Sequence, residues 1–239
     1  MIESAPRSGK TIEALSANPG PGKAEAEPAA AKPRLRGVSH ELAAYLAIPA
    51  VLVLLARATG STARVAAAVY GVTLITLFGV SAIYHRRLWS LRVRQIVGRV
   101  DHSAIFLLIA GTYTPFGLVL GPGPGHVALW VVWLGAAAGI ALVVGFRVGK
   151  KTRAAIYVLL GWVALPIMPS LHARLGTGPL ALLLLGGFFY TVGAVVYGRR
   201  RPDPFPRIFG FHEVFHLLTI AAAACHYAVV AATVAALRG

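Results

Sequence analysis

Seven apolar runs, each near the length that crosses a bilayer, dominate the chain from residue 41 onward. A helix needs about 20 apolar residues to traverse roughly 30 Å of hydrocarbon. Within that layer only elements that satisfy their own backbone polar groups are viable. The runs fall at 41–55, 65–85, 101–120, 127–146, 154–171, 179–197 and 212–237. They predict an all-α integral membrane protein, a seven-transmembrane helix bundle. Charged residues make up only 13% of the chain, against about 25% in soluble domains. The third run stops at the turn-forming sequence from Gly121 to Gly125, and Pro166 and Pro169 are expected to bend or end the fifth. No internal repeat at a fixed period is present.

Residues 1–38 differ from the rest. Ala, Pro, Gly, Lys and Glu dominate them, and such a segment cannot bury enough apolar surface to offset its ordering entropy. It is expected to be a disordered cytoplasmic tail, leaving 39–239 as the membrane domain. No apolar stretch near Met1 resembles the core of a cleaved signal peptide.

A net charge of +15 raises the question of nucleic acid, and the distribution of the charge answers it. With seven spans, one side of the membrane keeps only Arg57, Arg64, Arg174 and Arg238 of the 23 Lys and Arg. The remainder cluster in the tail, around 86–99, at 147–153 and at 199–207. The positive-inside rule then places the N-terminus in the cytoplasm and the C-terminus outside. Anionic lipid headgroups are attracted to the same loops, so nucleic acid is not an expected partner. The expected location is a bacterial plasma (inner) membrane. The single cysteine, Cys225, excludes an intramolecular disulfide framework.

Polar side chains inside such spans are expensive and need partners. His212 and His216 open the last span four residues apart, which places both rings on one helix face. Span two ends in Ser81-Ala-Ile-Tyr-His85 and span three opens on Asp101. By alternation, His85, Asp101, His212 and His216 all lie near the cytoplasmic ends of their spans. Three imidazoles and a carboxylate at one depth suit a catalytic zinc site, which has three protein ligands and an open fourth position. Asp101 is then placed to accept a proton or orient water. Ser81, one turn from His85, is placed to hold its ring or contact substrate.

Each of these residues also has a simpler use. Paired histidines can be ordinary polar residues, and His85 can sit in the interface beside Arg86. Asp101 can cap the third span, and Ser81 can make a plain helix–helix hydrogen bond. His40 shares the depth of the set, but nothing else selects it. His102 points about 100° away from Asp101 on a helix, which favours loop or interface packing. His226 lies too deep to share a metal with His216 and is expected to make an internal hydrogen bond or contact a cavity. His126 and His172 are expected to face water. His212-Glu-Val-Phe-His216 also matches HExxH, in which Glu213 would be the base of a metalloprotease. No acidic residue follows Glu213 to serve as a further ligand.

Together, Ser81-x-x-x-His85, the run from Asp101 to Pro115 and His212-x-x-x-His216 resemble the haemolysin III family. That family belongs with the progestin and adipoQ receptors (PAQR), which include the adiponectin receptors. The likeness covers the chain from Ser39 to its end. It implies a seven-helix bundle with zinc held by His85, His212 and His216, Asp101 beside the metal-bound water, Ser81 close by, and kinship with ceramidase-like hydrolases. Three functions follow as expectations. The first is metal-assisted hydrolysis of a membrane lipid amide or ester. The second is a receptor or lipid-homeostasis protein with structural zinc. The third is a cytolytic pore, for which the spans offer no continuous polar stripe. Copper, iron and nickel also accept imidazole, so zinc is a preference of the ligand set.

Overall fold

The computed structural model describes residue 1 and residues 32–146 and 148–237. The expected tail up to residue 31, Arg147 and Arg238 lie outside the described residues, Met1 apart. The helices are α1 (Val38–Arg57), α2 (Ser61–Arg86), α3 (Leu91–Leu120), α4 (Pro124–Gly145), α5 (Lys150–Gly161), α6 (Met168–Leu175), α7 (Thr177–Arg199) and α8 (Phe211–Ala236). A 3₁₀ turn, Trp162–Ile167, joins α5 to α6. Counting α5–α6 as one, seven segments among the described residues are long and apolar enough to span a membrane. The protein is a multi-pass, all-α integral membrane bundle.

The fifth span breaks where the prolines predict. Pro166 lies in the 3₁₀ turn and Pro169 in the first turn of α6, because proline cannot donate into a helical ladder. The Tyr113 hydroxyl donates to the Gly161 carbonyl at 2.7 Å, at the junction of α5 and the turn.

The third span departs from expectation at its start. Helix α3 begins at Leu91, ten residues before Asp101. Hydropathy registers the part of a helix that lies in hydrocarbon, whereas Arg92, Arg94 and Arg99 carry the same helix beyond it. Asp101 therefore sits in the helix interior and does not cap it.

Small residues set the spacing of the helices. A Cβ on Gly111 of α3 would lie 2.1 Å from Thr73 Oγ1 of α2, so the two helices approach closely only because Gly111 has none. That contact brings the Ser81 end of α2 beside the Asp101 turn of α3. Helix α8 packs against α1, α2, α3 and α7 and closes the bundle around them. Outward faces carry exposed Leu42, Leu46, Val72, Trp130 and Leu134, the apolar surface that lipid covers.

One end of the bundle is stitched further. Residues 32–37, which composition assigns to the tail, run along the α7–α8 connection. Arg34 and Leu35 donate their backbone N–H groups to the carbonyls of Arg207 and Ile208 at 3.0 and 3.1 Å. The Arg36 guanidinium pairs with Glu213. This end, where α1, α3, α5 and α8 begin, carries most of the cations and is called the basic end below.

Candidate metal centre

Ring nitrogens of His85, His212 and His216 all lie within 4.8 Å of one another. His85 comes from the last turn of α2, and His212 and His216 from the first turns of α8. His85 Nε2 and His212 Nε2 are 3.3 Å apart. Two bonds of 2.0–2.1 Å at a tetrahedral angle separate their nitrogens by about 3.3–3.4 Å, so the spacing fits one shared ion. His216 is 1% exposed, and its Nδ1 is buried with no hydrogen-bond partner among the described residues. Burial of an unpaired polar atom costs about 1–3 kcal/mol, a cost that an ion bound at that nitrogen would offset. The residues present therefore fit a divalent metal. The three-ligand cluster includes neither Asp101 nor His40.

Asp101, 8% exposed, faces the Ser81 hydroxyl and has the guanidinium of Arg153 nearby. Ser81 Oγ is also 2.8 Å from His40 Nδ1. The His40 ring lies flat on that of His216, with centroids 3.7 Å apart and planes 9° from parallel. Phe78 meets the His40 ring in a T-shaped contact, with centroids 5.1 Å apart. A buried chain thus runs from His216 through His40 and Ser81 to Asp101. Only the depth of His40 in the first span pointed to it in the sequence, because ring stacking between the first and last helices leaves no local pattern.

Glu213 behaves otherwise. One carboxylate oxygen binds Arg36, and the other accepts from the Gly210 N–H at 2.8 Å. It reaches back to cap the first turn of α8, with no side chain on Gly210 to return the bond, and is absent from the cavity wall. The HExxH pattern here is a helix start, and the metalloprotease reading loses its base. Gly37 also serves the site. Its φ is +82°, and a Cβ there would lie 2.6 Å from the Cβ of His85. Only glycine lets the N-terminal strap cross so close to a cluster histidine.

The cluster opens into a cavity of about 470 Å³ whose wall includes His85, Ser81, Asp101, His212 and His216. His102 lies on the same wall within α3, not in a loop, with Nδ1 bonded to the Gly98 carbonyl. His226 marks the deep end, where its Nε2 lies 3.2 Å from the Leu183 carbonyl. Both its expected roles are met, and Gly186 makes room for its ring. His126 and His172 are exposed at the opposite end, as expected. Outside the spans, Lys32 at the cavity rim has its ammonium pKa pulled down, first by partial burial and then by Arg94 and Arg36 beside it.

The family model described as haemolysin-III related matches residues 29–227. Hemolysin-3 of Bacillus cereus is 34% identical over 192 residues, covering 78% of this chain and 84% of that protein. A Hemolysin-3 homolog of Bacillus subtilis (strain 168) is 33% identical over 167 residues, 67% of this chain and 77% of the relative. The human monocyte to macrophage differentiation factor is 30% identical over 194 residues, 77% of this chain and 78% of its own.

Proposed function

We propose that this chain, which belongs to the haemolysin-III-related family of PAQR-type membrane proteins, is a zinc-dependent hydrolase of a membrane lipid amide or ester. The observation that carries the reading is the three-histidine cluster opening into a cavity with Asp101 on the same wall. Structural zinc sites use four protein ligands, whereas catalytic sites use three and leave a position open. Here the described residues supply three. A zinc ion held by His85, His212 and His216 supplies Lewis acidity, which polarises an acyl carbonyl and makes water nucleophilic near neutral pH.

The chain's own groups do the rest. Asp101 accepts a proton from the attacking water and returns it to the departing nitrogen or oxygen. Ser81 fixes the Asp101 carboxylate. With the proton on His40 Nδ1, Ser81 accepts from His40 and donates to Asp101. The apolar wall of the cavity holds the acyl chain and limits bulk water. On this reading the basic end faces the cytoplasm, since Lys and Arg concentrate there. The membrane is a bacterial plasma membrane, in keeping with the Bacillus relatives.

The test is metal content and turnover of the purified full chain in detergent. One zinc per chain, with fatty acid released from an acyl amide or ester, supports the reading. Full zinc without turnover of any such lipid would move the protein to a non-enzymatic role with a structural ion. Conductance in planar bilayers would move it to a cytolytic pore; the Bacillus relatives carry the name hemolysin.

A further inference from the structure

The rim of the cavity carries a charge pattern that the hydrolytic reading does not use. Lys32, Arg36, Arg94, Lys150, Arg153 and Arg200 all line it. They come from the strap, α3, α5 and the end of α7, four separate parts of the chain. Among the described residues the ion pairs are Arg36–Glu213 and Arg86–Glu41, so five of the six rim cations have no carboxylate partner. They also crowd one another. Lys32 feels Arg94 and Arg36, and Lys150 feels Arg200, Arg153 and Arg36.

Arg153 is the rim cation beside Asp101. It is half-buried, its guanidinium reaches the Tyr197 hydroxyl, and it acts on both Asp101 and His102. The positive-inside rule explains why cations lie at this end of the bundle. It does not explain why they point into one cavity, next to the histidine cluster. A planar guanidinium with few carboxylate neighbours is suited to bidentate capture of a phosphate or carboxylate. Beyond the cluster the wall turns apolar, through Leu77, Leu108, Ile109, Met168 and Leu183.

We infer that the cavity selects an amphiphile with one acyl chain and an anionic head, the head held by Arg153 and the rim cations and the chain lying along the deep apolar wall. The bond between acyl group and head then falls at the histidine cluster, a placement that rests on the hydrolytic reading above. In that reaction the oxygen of water joins the acyl carbon, and the bond from that carbon to the head's oxygen or nitrogen breaks. The head leaves with the proton, and the chain remains as a fatty acid.

The inference is tested by binding, apart from turnover. Three ligands with the same oleoyl chain are titrated against the zinc-loaded full chain in a non-ionic detergent and followed by native mass spectrometry. They are 1-oleoylglycerol 3-phosphate, its choline ester and uncharged 1-oleoylglycerol. The phosphate should bind at least about tenfold tighter than the uncharged lipid, as charge-assisted bonds to a guanidinium require. That advantage should shrink in Arg153→Gln and vanish in Arg153→Gln/Lys150→Gln/Arg200→Gln, with binding of the uncharged lipid unchanged. Equal affinity for the three heads overturns the inference. So does an advantage that survives the triple variant, which would mark non-specific surface attraction. Weakened binding of all three ligands in the variant would mean a packing role and also overturns it. Inorganic phosphate binding as tightly as the lipid would mark a free-anion site and remove the amphiphile. An intact anionic preference without turnover sinks the hydrolase and leaves this inference standing.

Discussion

At the basic end, His85, His212 and His216 turn inward and meet within 4.8 Å, flanked by His40, Asp101 and a rim of cations. At the opposite end, His126 and His172 stand exposed on the same bundle, and His172 lies 3.1 Å from the Thr177 hydroxyl. Glycines follow the same division. Gly37 at the basic end and Gly60 and Gly176 at the opposite end all have φ of +81° to +82°. A Cβ on Gly37 would strike His85, whereas none on Gly60 or Gly176 would meet an atom within 4 Å. Residue type and φ are matched between the ends, whereas ψ is −6° at Gly37 and 163° and −178° at Gly60 and Gly176, and the surroundings differ. What a histidine does in a membrane span is decided by which helices bring it company.

The comparison breaks first at the histidines. His212→Ala or His216→Ala should reduce bound zinc from one per chain to near none by elemental mass spectrometry, while His126→Ala and His172→Ala keep it. Next, Asp101→Asn should keep its zinc and lose about 10²–10⁴-fold in turnover, the span attributed to a proton-transfer group. Zinc lost together with turnover would make Asp101 a ligand. Chelation should lower the melting temperature by about 5–10 °C, the effect of removing a ligand held well above its dissociation constant. Restoring zinc should reverse the shift, and His212→Ala should start from the lowered value. Gly37→Ala and Gly60→Ala sharpen the contrast further. Both force alanine to a positive φ, at the left-handed helical ψ for Gly37 and at an extended ψ of 163° for Gly60, costing about 1–3 kcal/mol each, visible in melting, but only Gly37→Ala should weaken zinc affinity. The smallest effect is expected at His126→Ala, within about 0.5 kcal/mol of the parent stability.

Hydropathy made the seven spans legible because the membrane imposes a length on every crossing. Helix ends were less legible. Leu91 to Val100 reads as a loop by charge, yet it continues α3, since a helix does not stop where the hydrocarbon does. The i, i+4 spacing of His212 and His216, with the common depth of His85, brought out the cluster. His40 escaped because its stacking on His216 joins the first helix to the last. The rim cations were visible only as topology markers, because a sequence shows which side an arginine is on but not that it points into a cavity. Glu213 was misleading for the opposite reason. A genuine local motif, HExxH, was spent on capping α8 and anchoring Arg36.

The histidine cluster joins residues 127 positions apart in the chain, His85 and His212. That separation has a consequence for biosynthesis. Spans enter the membrane in order as they leave the ribosome, so His85 is in place long before its partners exist. Until the seventh span has been inserted, its ring has neither His212 nor His216 beside it, and the strap at residues 34–35 has no α7–α8 connection to pair with. A chain released early cannot form the cluster at all. Metal occupancy would then report completed synthesis, and a quality-control protease that reads exposed polar groups within the bilayer would find His85 uncovered only in unfinished copies.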